Sequence, residues 1–85
     1  MAIKKSPHIA YRTIENKAYI INTKTSTLHE LDEVGTFLWE LLDKVGSEEI
    51  LAEKLYDAYD VSSLKEAKND VRDFINELSS KGLVL

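Results

Sequence analysis

Apolar and polar residues follow a strand-like pattern through the first third of the chain and a helical one after it. His8 to Ile14 (HIAYRTI) and Lys17 to Thr23 (KAYIINT) are rich in β-branched and aromatic residues, and Thr27 to Leu31 is a third, briefer run of the same kind. Glu15-Asn16-Lys17 reads as a tight turn, because Asn tolerates left-handed geometry, and the polar Thr23–Ser26 reads as another. Connections this short favour an antiparallel meander. At Asp32 the period changes. Val34, Phe37, Leu38, Leu41, Leu42 and Val45 recur at three and four, which predicts an amphipathic helix capped by the Asp32 carboxylate and stopped by Gly46.

Two more helices follow by the same logic. Ser47 is a good N-cap for a helix over about 48–59, with Ile50, Leu51, Leu55 and Tyr59 as its apolar members. Asp60-Val61-Ser62 interrupts it. Ser63 with Glu66 matches a capping box for a third helix reaching Ser80, whose stripe is Leu64, Ala67, Val71, Phe74, Ile75 and Leu78. Gly82 ends that helix, and Leu83-Val84-Leu85 is an apolar tail expected to dock on the body. Residues 1–7 read as a loose lead-in ending at Pro7. The predicted fold class is α+β and winged-helix-like: a three-stranded antiparallel sheet followed by three helices, β-β-β-α-α-α, with residues 1–85 forming one domain.

A three-stranded sheet has two edges. The first strand is bounded by Pro7 and carries Arg12, both of which discourage pairing. The third strand has Glu30 as its gatekeeper and passes straight into a helix. It is therefore the more receptive edge for an added strand.

Charge changes the picture along the chain. Residues 1–30 carry Lys4, Lys5, Arg12, Lys17 and Lys24 against Glu15 and Glu30, a balance of +3, and the remainder carries six basic and thirteen acidic residues, a balance of −7. The acidic excess reads first as a solvated helical face, and it argues against a broad nucleic-acid surface. With no cysteine, disulfides, thiolate metal sites and a cysteine nucleophile are excluded. No apolar run is long enough to span a bilayer, and the start of the chain lacks the apolar core of a signal peptide, so a cytoplasmic location is expected.

Candidate chemistry is sparse. His8 and His29 are the two histidines, and no ligand spacing joins them to carboxylates, so no metal is expected. Glu48-Glu49 and Glu30-Asp32-Glu33 are paired acids at a helix start or a strand end, where they suit the helix dipole better than acid–base catalysis. No nucleophile–base pair, phosphate loop or cofactor motif is present, so neither an enzyme nor a cofactor is expected. Trp39 lies off the centre of the first helix's stripe; packing against the sheet or tail is favoured over a partner contact. Tyr56 and Tyr59 read as packing residues with wet hydroxyls.

The order of these features resembles the pyrroloquinoline quinone biosynthesis protein D family, the prototype of the peptide-recognition elements of ribosomal peptide maturation. The resemblance is carried by Leu31-Asp32-Glu33-Val34-Gly35-Thr36-Phe37-Leu38-Trp39-Glu40-Leu41-Leu42-Asp43, by Glu49-Ile50 through Tyr59-Asp60, and by Asp70-Val71, Phe74-Ile75, Leu78 and Gly82-Leu83-Val84. No one of these motifs is specific; their order and spacing together are. Asp32 stands where the family often has Asn, and Lys44-Val45-Gly46 extends the first helix where the family commonly turns sooner.

The resemblance implies a non-catalytic adaptor. Such a protein binds the leader of a precursor peptide and presents its core to a tailoring enzyme, either a radical S-adenosylmethionine enzyme or a leader peptidase. No nucleic acid or membrane is involved. The leader would lie as an added strand against Thr27, Leu28, His29, Glu30 and Leu31, in a groove closed by the third helix. On a helical wheel Lys68, Arg72 and Ile75 form one flank of that helix, and Ala67, Asp70 and Phe74 the other. The basic flank is preferred, since a basic rim suits acidic leaders. Val71, Phe74 and Leu78 would floor the groove, although an ordinary core role is favoured for them. The alternative is a winged-helix DNA-binding regulator. Against it, Lys65, Lys68 and Arg72 are outnumbered on the third helix by Glu66, Asp70, Asp73 and Glu77, and no wing follows.

Overall fold

The computed structural model describes residues 3–85. Its elements run β1 (Ile9–Ile14), β2 (Lys17–Asn22), β3 (Thr27–Glu30), α1 (Glu33–Val45), α2 (Glu48–Ala58) and α3 (Leu64–Ser80). The strands form one antiparallel sheet in the order β1-β2-β3, which is the predicted architecture. β1 and β2 join through Glu15 and Asn16, both at positive φ, as the two-residue turn that matches strand twist requires.

Ala18, Ile20 and Asn22 of β2 are buried on the face turned toward the helices. Against them pack Leu38, Trp39 and Leu42 of α1, Leu51, Ala52 and Leu55 of α2, Ala67, Val71 and Leu78 of α3, and Leu83 and Val84 of the tail. Trp39 is fully buried, edge-on to Tyr11 at 5.3 Å between ring centroids. That rules out a role for its side chain as a partner contact.

The predicted caps form, with two differences. Asp32 accepts the Gly35 N–H at 2.7 Å, and Gly46 closes α1 in the left-handed conformation. Ser47 sits at the N-cap of α2 but makes no side-chain cap bond. Ser63 accepts the Glu66 N–H at 3.1 Å, but the Glu66 carboxylate bonds the Ser62 hydroxyl, so half of the capping box forms.

The loose lead-in is corrected from Ile3 onward; Met1 and Ala2 lie outside the described residues. The Ile3 N–H donates to Gly46 O, Ser6 N–H to Leu83 O and Leu85 N–H to Lys4 O, each near 3 Å. The Lys5 ammonium lies 4.4 Å from the ring centroids of both Tyr11 and Trp39 and pairs with Asp43 at 2.9 Å. The apolar tail docks as predicted for Leu83 and Val84, while Leu85 stays exposed.

Sheet and first helix are joined by Thr36. Its buried hydroxyl accepts the Ala18 N–H at 2.8 Å and donates, at a longer 3.4 Å, to Leu31 O. In a regular ladder the Ala18 N–H would bond Leu31 O directly, since Leu31 N–H already donates to Ala18 O at 2.9 Å. The hydroxyl is thus spliced into the last rung. Thr36→Val keeps the shape and strands the Ala18 N–H, so a loss of about 2 kcal/mol in urea unfolding is expected, with Thr36→Ser losing clearly less.

Candidate functional site

The backbone parity of β3 follows from its pairing. Leu31 bonds β2, and alternation gives His29 and Thr27 the same direction. The N–H and C=O groups of Leu28 and Glu30 therefore point away from the sheet, along its free edge. The same alternation puts the Thr27, His29 and Leu31 side chains on the helix side and those of Leu28 and Glu30 on the opposite face. Leu28 is accordingly 63% exposed.

Beside the end of this edge lies a groove of about 430 Å³. Glu30 and Leu31 form one end, with Asp32, Val34, Gly35 and Leu38 from the start of α1. Leu55, Tyr59 and Val61 supply the floor from α2 and the segment after it. The far wall is α3, through Asp70, Phe74, Glu77, Leu78 and Lys81. Most of the lining is apolar, and the charged residues belong to the rim. This is the shape and chemistry of a site that takes apolar side chains from an extended segment.

Two close approaches set the width of the groove. A Cβ on Gly35 would crowd Asp32 Oδ1 at 3.2 Å and Leu31 Cβ at 3.3 Å, while Phe74 Cε1 at 3.4 Å would be in ordinary contact with it, so Phe74 lies against the first turn of α1. At the other end, buried Asn22 donates from Nδ2 to Lys81 O at 3.0 Å, capping a carbonyl at the end of α3. Its Oδ1 accepts from Lys24 and Thr25, which shapes the turn into β3. Gly82 follows at φ +71°, where a Cβ would press on Asn22 Nδ2 at 3.0 Å. One side chain thus ties the start of the edge to the end of the opposing helix.

The structure sorts the predicted site residues. Thr27 to Leu31 form the edge. Phe74 lines the groove and is half-buried, as is Ile75. The preferred flank needs correcting: Lys68, Arg72 and Ile75 do not line the groove, and the wall comes from the Asp70–Phe74 flank. Burial of Ala67, Val71 and Leu78 fixes the rotation of α3, which packs on α2, and leaves Asp70, Phe74 and Glu77 lining the groove across from Glu30 and Leu31. Val71 is wholly buried in the core, while Leu78 serves both core and groove. Val34, Leu38, Val61 and Tyr59 are lining residues that periodicity did not mark as such. Tyr59 packs edge-on to Phe37 at 5.3 Å, whereas Tyr56 is exposed rather than packed.

Known proteins share this architecture. The family model described as coenzyme PQQ synthesis protein D (PqqD) matches residues 18–84. No curated protein sequence matches the chain. Among solved structures, TbiB1 in complex with the TbiA(beta) leader peptide is similar at 27% identity, covering 95% of this chain and 93% of that one with a TM-score of 0.89. A lasso peptide synthetase B1 complexed with the leader peptide has the same fold, at a TM-score of 0.91, 16% identity, and coverage of 100% and 99%.

The edge geometry is open to direct measurement. In amide hydrogen exchange, the His29 and Leu31 N–H groups are expected to be protected and those of Leu28 and Glu30 to exchange at rates near those of a free chain. Equal protection of all four would contradict the parity. Asp32→Ala is expected to cost about 1 kcal/mol and to speed exchange at Gly35, with Asp32→Asn close to neutral in thermal unfolding.

Proposed function

The chain belongs to the coenzyme PQQ synthesis protein D family, and from that premise we propose that it is a non-catalytic adaptor for a ribosomally made precursor peptide. It captures the leader of that peptide as an added strand on β3 and delivers the core to a tailoring enzyme, a radical S-adenosylmethionine enzyme or a leader peptidase. The observation that carries this reading is the free β3 edge lying beside an apolar groove that α3 closes. The similarity to TbiB1, whose structure holds a leader peptide, supports it. Among the described residues no helix is long and apolar enough to cross a membrane, and the proposal places the adaptor in the cytoplasm.

The proposed division of labour follows from the geometry. Leu28 and Glu30 supply main-chain donors and acceptors, which give affinity with little demand on sequence. Leu31, Phe74 and Leu78 receive apolar anchors, with Thr27 and His29 on the same face of the edge. A disordered leader pays for its own ordering on binding, so affinity rests on a few anchors and settles at about micromolar rather than picomolar. The whole of residues 1–85 acts as one recognition unit, because the groove draws on β3 and all three helices.

Proline substitution separates edge from fold. Leu28→Pro removes an outward N–H and leaves the bonds to β2 in place. Isothermal titration with the leader encoded by a neighbouring precursor gene is expected to show at least a roughly ten-fold loss, with an unchanged circular dichroism melt. Leu31→Pro instead removes the N–H that bonds Ala18, and is expected to unfold the sheet end. Undiminished binding by a folded Leu28→Pro protein would move the site off this edge.

A further inference from the structure

The sheet face turned away from the helices is organised in rows across the strands. Ala10, Ile21 and Leu28 stand opposite one another in one row, and Arg12, Tyr19 and Glu30 in the next. The first row is apolar and ends at the free edge on exposed Leu28, with Ile21 behind it 45% exposed. The second ends on the Glu30 carboxylate. Among the described residues its ion-pair partner is Lys17 at 3.7 Å, a long contact between two side chains that are each more than half exposed. Glu30 therefore retains most of its capacity to accept a second cation.

A strand added to this edge extends each row by one residue. Directly opposed residues share a face in parallel and antiparallel pairs alike, so this holds for either direction of the incoming chain. The residues opposite Leu28 and Glu30 lie two apart on the outer face. The residue between them stands opposite His29 and points to the helix side, one row from the groove end at Leu31. Opposed side chains of matching character stabilise a sheet, and like charges directly opposed destabilise it.

Resting on the strand-addition reading above, we propose that the recognised segment carries a three-residue signature. It is an aliphatic residue opposite Leu28, a large apolar residue opposite His29 that reaches the groove end at Leu31, and a lysine or arginine opposite Glu30, read in either direction. The groove rim has the same preference. Asp70 has no hydrogen-bond or ion-pair partner among the described residues, and Lys81, the one cation lining the groove, is already paired with Glu77 at 2.9 Å. The ligand chemistry is therefore a basic, apolar peptide segment, opposite in sign to what Lys68 and Arg72 would have selected.

The test is a display library of random dodecapeptides panned on the full chain, on Glu30→Lys and on Leu28→Pro, each checked for folding by circular dichroism. The wild-type protein is expected to enrich triplets with an aliphatic and a basic residue flanking a large apolar one. Glu30→Lys is expected to exchange the basic residue for Asp or Glu. Synthetic pairs differing only at that position should change in affinity by about five-fold, with the sign reversed between the two proteins. Enrichment that Leu28→Pro abolishes, but with no charge preference or one that Glu30→Lys leaves unchanged, overturns this signature and leaves strand addition standing. No enrichment, or enrichment indifferent to Leu28→Pro, overturns strand addition and the signature with it.

Discussion

The hydroxyl of Thr36 holds the two halves of this protein together. Strand β3 ends and helix α1 begins within three residues, so the chain leaves the sheet where its last rung should close. Thr36 completes that rung by accepting from the Ala18 N–H and donating its own proton toward Leu31 O. Ala18 is wholly buried, so its N–H has no access to water. An unpaired donor there costs about 1–3 kcal/mol, a large share of the stability of a chain this small. The same contact fixes the angle at which β3 leaves the sheet, and hence the direction of its free edge.

The groove follows from that constraint and from a second one at the opposite end. Asn22 spends its amide on the last turn of α3 and its carbonyl on the turn into β3. Strand and helix are therefore held at both ends of the space between them, at one by Asn22 and at the other by Phe74 against Gly35. A groove built this way is largely preformed, so a disordered segment entering it would bear nearly all of the ordering cost. The N-terminal strap contributes from behind. Lys5, over Tyr11 and Trp39, closes the side of the core farthest from the edge without approaching the groove.

Local chemistry was legible wherever it is decided within a few residues. Asp32 and Ser63 cap helices through their side chains, Gly46 does so by lacking one, and each strand lies within a residue of its predicted end. The exposed status of β3 was legible too, because gatekeeping residues are a local property of an edge. Of the site, Leu31 and Phe74 were recognisable as apolar residues near that edge. The remaining lining residues come from separate elements, and periodicity marks them only as members of a buried stripe. Thr36 and Asn22 gave no advance signal, since a Thr inside a helix and an Asn at a strand end have ordinary local roles. Their importance comes from partners 18 and 59 residues away.

The sequence by itself determined the order of elements, most of their caps, the stripe of each helix and the few gatekeepers on the β3 edge, because all of these depend on short-range geometry and on which residues water rejects. Tertiary structure alone decided which flank of α3 faces β3. A helical stripe is nearly symmetric about its centre, so Lys68 and Arg72 on one side and Asp70 and Phe74 on the other are equivalent until the helix has a direction across the sheet. That direction is set by long-range packing, chiefly of α3 on α2, with the Asn22 bond to Lys81 O at its end. With it set, Asp70 and Glu77 line the groove and Lys68 and Arg72 do not.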